Sequence, residues 1–129
     1  MFAGKRPTNL GIKAGKLAPC PNTPNCVSSQ STDPEHAIKP LPYAEITDIK
    51  RVVNNMERTT IIEETENYLY AEFKSKLMGF VDDVEFHKDD VNQVINVRSA
   101  SRLGKSDLGV NRKRVEEIRQ QLQALIKNR

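Results

Sequence analysis

Four arginines, Arg98, Arg102, Arg112 and Arg114, fall in the run "RSASRLGKSDLGVNRKR", with Ser99, Ser101, Asp107 and Asn111 between them. A guanidinium offers a planar fork of donors that matches a carboxylate or a phosphate. Hydroxyl and amide side chains add further hydrogen bonds. The chemistry such a run supports is therefore the holding of an anion. Upstream, Asp82 and Asp83 stand in "FVDDVEFH". Adjacent strand residues face opposite sides, so the two carboxylates do not form a catalytic dyad but present one acid to each face of a sheet. Asp82 shares its face with Phe80, Val84 and Phe86, and a carboxylate among such neighbours must find a cation or several donors. If residues 80–87 and 94–101 pair as a hairpin, Arg98 or Arg102 comes within reach of Asp82 or Asp83.

Two outcomes are then open. In the simpler one, arginines and aspartates satisfy each other and hold the loop. In the functional one, Arg98, Arg102, Arg112 or Arg114 keeps spare donors for a phosphate or carboxylate ligand near the start of the last helix, whose free N–H groups favour anions.

Other chemistries are poorly served. The GKS of Gly104–Ser106 lacks the first glycine of a phosphate-binding loop, because Ser99 occupies that position, and Gly109 delays the following helix. Basic residues supply phosphate neutralisers, but without Trp and with few free aromatics there are no stacking platforms, so nucleic acid is not the expected partner. No Gly-x-Ser-x-Gly elbow is present. Cys20 and Cys26, with only His36 and His87 to complete a set, lack the ligand pairing of a zinc site, and neither a metal nor a cofactor is expected. Pro21 and Pro24 between the cysteines force turns that allow a disulfide, while a reducing compartment would leave two thiols.

The elements that must position these residues follow from periodicity. In a chain of 129 residues with five prolines among its first thirty-five positions, residues 1–16 read as a flexible arm and 17–129 as a single domain. Leu10, Ile12, Leu17 and Val27 suggest that at least the later part of the proline-rich stretch docks. Residues 44–56 carry Ile46, Ile49, Val53 and Met56 on one helical face, and residues 112–127 carry Val115, Ile118, Leu122 and Leu125, with Asn111 expected as the cap. Between them, residues 59–65, 68–76, 80–87 and 94–101 read as four strands, and "IKPLPY" as a short edge strand. Leu69, Ala71 and Phe73 share one face. Tight turns make the strands antiparallel neighbours, and two amphipathic helices suffice to cover one sheet face. The expected fold is an α+β two-layer sandwich.

Residues 57–90 hold ten acids against four bases and residues 98–129 nine bases against three acids, a segregation that suits either an anion site or two segments that attract each other. The overall charge of +3 points to no partner by itself. The basic N-terminus lacks the apolar stretch of a signal peptide and no run is long enough to span a bilayer, so a cytoplasmic chain is expected.

Taken together, Pro19–Ser29 ("PCPNTPNCVSS"), Gly79–Phe86 ("GFVDDVEF") and the arginine-serine run resemble the three signatures of the uncharacterised domain-of-unknown-function family fourteen-ninety-nine, from Leu17 onward. The resemblance implies that the cysteines, the acidic pair and the arginines belong to one recurring pattern. It implies no reaction. The leading expectation is a non-catalytic module that binds a small anionic ligand or an acidic partner segment. An enzyme using Cys20 or Cys26 as a reactive thiol, and an interaction protein recruiting a partner through its arm, are the alternatives.

Overall fold

The computed structural model describes residues 4–76, 79–103 and 109–129. Its frame is an antiparallel sheet of β1 (Cys26–Ser28), β2 (Leu41–Pro42), β3 (Thr59–Glu64), β4 (Tyr68–Lys74), β5 (Val81–Asp89) and β6 (Val94–Ser101), with helices α1 (Ile46–Asn54) and α2 (Val110–Lys127). The order across the sheet is β1-β6-β5-β4-β3, and β2 also pairs with β6. β1 takes the end of β6 around Ser99 and β2 the end around Ile95, so two short strands share one edge. Between them, the Ser29 amide donates to the Val97 carbonyl and the Val97 amide donates to the Ser29 hydroxyl.

The sheet thus has six strands rather than four. β2 falls in the short edge strand expected at "IKPLPY", and β1 is the strand not foreseen, because three residues have no periodicity of their own to betray them. β3, β4, β5 and β6 fall where alternation put them, although the third of these starts at Val81 and leaves Phe80 exposed.

Both helices lie on one face. Ile46, Ile49, Val52 and Val53 of α1 and Val115, Ile118 and Leu122 of α2 pack on Leu69, Ala71, Phe73, Val84, Phe86, Ile95 and Val97. α2 begins earlier than its apolar stripe suggests. Its cap is Gly109, in the left-handed region at φ 80°, where a residue without Cβ is at ease. Asn111 is therefore not the cap; it sits inside the first turn, fully buried. The opposite face of the sheet is covered by the chain's own beginning. Leu10, Ile12 and Leu17 pack on Tyr68 and Tyr70. The arm is pinned by Arg6 to Glu72, by the Gly11 amide to Glu85 and by the Leu17 amide to Gln30.

Candidate functional site

Alternation along β5 sends Asp82 toward the helices and Asp83 toward the arm, and the arginines divide between the two faces. On the helix face, Arg114 reaches Asp82 at 2.8 Å and lies 5.0 Å over the Phe73 ring. The same guanidinium donates to Asn111 at 3.0 Å and to Ser99 at 3.3 Å. The Ser99 hydroxyl donates to the Asn111 carbonyl oxygen at 2.6 Å, and the Asn111 amide donates to the Ser101 hydroxyl and the Asn25 carbonyl. This closed network ties the first turn of α2 to β6. Arg112 stands apart, on the surface, donating to the Ala37 and Glu35 carbonyls. Asp107 and the GKS segment lie outside the described residues.

On the arm face, Arg102 grips both oxygens of Asp83 at 2.9 Å, reaches Glu72 at 2.5 Å, and makes longer bonds to the Tyr70 hydroxyl and the Gly4 carbonyl. These acceptors hold the guanidinium charged and push its pKa up, the Asp83 hydrogen bonds most of all. Tyr70 donates to Asp83 at 2.5 Å, and burial, with that bond second, pushes its hydroxyl well above the usual tyrosine range. A Cβ on Gly4 would come within 3.0 Å of the Arg102 Cβ, so the arm's approach here depends on glycine.

Arg98 is different. It stands directly opposite Glu85 in the β5–β6 register, and both are buried. Glu85 accepts from the Tyr68 hydroxyl at 2.5 Å and the Gly11 amide at 2.7 Å through one oxygen. Its other oxygen has no hydrogen bond among the described residues and lies 3.9 Å from Arg98. Burial pushes the Glu85 carboxyl up and the Arg98 guanidinium down. Arg98 donates to the Pro19 carbonyl at 3.2 Å, and its Nε has no partner among the described residues.

Arg98 lines a cleft of about 430 Å³ between the arm, the loop of Cys20 and the end of β6, together with Lys5, Cys20, Asn25, Asp83 and Arg102. Cys20 and Cys26 form a disulfide. The cysteine loop, one aspartate and two of the candidate arginines therefore meet in one place, while Asp82, Ser99, Asn111 and Arg114 belong to the other face. Lys5, Pro19 and Glu85 went unnoticed in the sequence. The signal for Glu85 was available in principle, because the hairpin register that reaches from Asp83 to Ala100 must set Glu85 against Arg98. A separate cleft between α1 and α2, lined by Thr47, Lys50, Asn54 and Gln121, touches none of these groups.

Asp33, Glu35 and His36 bring potential metal-ligand atoms within 4.8 Å of one another. Both nitrogens of His36 are already engaged, by Asp33 at 2.6 Å and the Thr23 carbonyl at 2.8 Å, which makes it a poor ligand.

A family model described as a protein of unknown function (DUF1499) matches residues 16–122. No curated protein and no solved structure matches.

Proposed function

The chain belongs to the DUF1499 family, whose description assigns no function, and we propose that it is a non-catalytic module that binds an anionic group, of a small ligand or of an acidic partner segment, in the cleft at Arg98. The reading is carried by one contrast among the four candidate arginines. Arg102 and Arg114 spend their donors on carboxylates, and Arg112 on carbonyls. Among the described residues, Arg98 alone of the four has a buried donor atom, Nε, without a hydrogen-bond partner, and its side chain lines an open cleft. A buried donor left unpaired costs about 1–3 kcal/mol, which a bound acceptor recovers. Lys5 on the same cleft adds a second cation, and the one acid among its described lining residues, Asp83, is already committed to Arg102.

Titration with phosphate, sulfate and acetate, followed by backbone amide shifts, tests the proposal. Saturating shifts at Cys20, Arg98, Ala100 and Ser101 with roughly millimolar affinity, about −4 kcal/mol, are expected. The absence of such shifts at concentrations well above that range rejects the site. The thiol-enzyme alternative requires reduction first, since neither sulfur of the bridged pair is a nucleophile.

A further inference from the structure

We infer that the ligand of this site is an extended acidic peptide segment of a partner protein, lying across the disulfide loop from Arg98 to a pair of lysines on the arm. The inference rests on the anion-binding reading above and specifies its ligand.

The lysine pair is built by backbone. Lys13 and Lys16 exchange both amide-to-carbonyl hydrogen bonds, at 2.8 and 3.1 Å, around Ala14 and Gly15, both at positive φ (53° and 77°). This is a two-residue hairpin of the type whose central residues both need φ > 0. Residues directly opposite in such a pair project to the same side, with Cα atoms about 5.5 Å apart. Two ammonium groups held this way repel each other. Neither forms an ion pair among the described residues. The hairpin therefore places two exposed lysines on one side of the arm.

Both lysines line a second cleft of about 720 Å³. The one acid among its described lining residues, Asp33, pairs with His36. The two clefts share Asn9, Pro19, Cys20 and Pro21, so they adjoin along the disulfide loop, with Lys5 and Arg98 on one side and Lys13 and Lys16 on the other. A phosphate ion fills a small part of this groove and meets only one end of it. A chain with acidic side chains at both ends meets all four cations. The amide side chains of Asn9, Asn22 and Gln30 on the walls suit the N–H and C=O groups of a peptide lying between them.

A fluorescently labelled peptide of about eight residues, with Asp or Glu near both ends and uncharged residues between, reaches about 27 Å when extended. Its binding to the full chain is compared by anisotropy with that of the Asn/Gln counterpart, and by competition with succinate and phosphate. The acidic peptide is expected to bind at least tenfold tighter than either small anion, and the neutral one not detectably. The double variant Lys13→Ala/Lys16→Ala should lose about tenfold in peptide affinity while phosphate still shifts the amides around Arg98. The charge-matched double variant Lys113→Ala/Lys127→Ala should bind the peptide as the parent does. Phosphate shifts at Arg98 together with peptide affinity no better than that of succinate would overturn the peptide inference and leave the anion site standing. An equal loss in both double variants overturns it too, by reducing the effect to net charge. Loss of the phosphate response at Arg98 in the parent chain removes the anion site and this inference with it.

Discussion

His36 is a buried imidazole whose two ring nitrogens both face acceptors, the Asp33 carboxylate and the Thr23 carbonyl. A carbonyl cannot donate, so Nε2 must carry a proton. An ionised Asp33 favours a second proton on Nδ1, and so favours the imidazolium form of the ring. The Thr23 and Asp33 bonds accordingly raise the His36 pKa, and hydrogen bonds from the Glu35 amide and from His36 lower that of Asp33. The signs give a window. The histidine's contribution is complete below its ordinary value of 6.5 and is lost as pH rises through the raised folded value. The aspartate's contribution is complete above its ordinary 3.8 and is lost as pH falls through the lowered one. Urea midpoints measured from pH 5 to 9 should therefore fall on the alkaline side in the parent chain, and the gap between the parent and His36→Asn should narrow over the same range. A gap that is constant across pH 5 to 9 would show that folding leaves the imidazole's pKa where it was, and one that widens toward pH 7 would show a ring kept neutral in the folded protein. Because Thr23 lies inside the cysteine loop, this one side chain also fixes the wall that the two clefts share.

At the scale of elements, the disulfide and α2 hold the site from two directions. Closing the short loop between Cys20 and Cys26 removes about 2 kcal/mol of chain entropy from the unfolded state. The double variant Cys20→Ser/Cys26→Ser should lose about that much stability by urea unfolding, and intact mass should rise by two hydrogens when the parent is reduced. The bridge is the form that an oxidising compartment maintains, and it sits uneasily with the cytoplasmic expectation drawn from the N-terminus. α2 is docked through Asn111, which is fully buried and bonded to Ser99, Ser101, Asn25 and Arg114. Asn111→Ala strands several of these partners and should cost about 1–3 kcal/mol, visible as a lower urea midpoint with an unchanged slope.

The sequence announced these elements unevenly, for physical reasons. The stripes of α1 and α2 and the alternation of β3 to β6 are local patterns, written by which side of each element meets the core. β2 was legible as the short edge strand in "IKPLPY", whereas β1 exists because β6 has a free edge to offer, and no local pattern records that. The split of Asp82 and Asp83 between faces follows from strand geometry and was legible. Their partners were legible only in part: Asp83 is held by Arg102, as the hairpin allows, but Asp82 found Arg114 from α2, and Arg98 found Glu85 rather than either aspartate. Pairings of that kind depend on register and helix placement, which composition does not encode. The cap was misread because Asn is a good capping residue wherever a helix begins, while the buried network around Ser99 needed its amide two residues past the cap, within the first turn.

For the molecule as a whole, the segregation of charge along the chain resolves inside the fold. Asp82, Asp83 and Glu85 of the acidic stretch face Arg114, Arg102 and Arg98 of the basic one. The arm closes the face on which two of these pairs lie. It covers Tyr68 and Tyr70, which donate to Glu85 and Asp83, and burial, ahead of those bonds, pushes both hydroxyls well above their ordinary value of 10.0. A tyrosine with a raised folded pKa contributes stability that is complete below its unfolded pKa and is lost as pH climbs above it. In the full chain, spectrophotometric titration should therefore show Tyr68 and Tyr70 resisting ionisation until alkali unfolds the protein. Removing residues 1–16 takes away Leu10, Ile12 and the Gly11 amide while leaving the six strands and both helices in place. If the arm is what keeps water from this face, the shortened chain should remain folded by circular dichroism, and Tyr68 and Tyr70 should titrate closer to 10, with faster amide exchange along β4 and β5. Tyrosines that still resist alkali after the truncation would place their protection in the sheet's own carboxylates, and the arm would then be a binding wall alone.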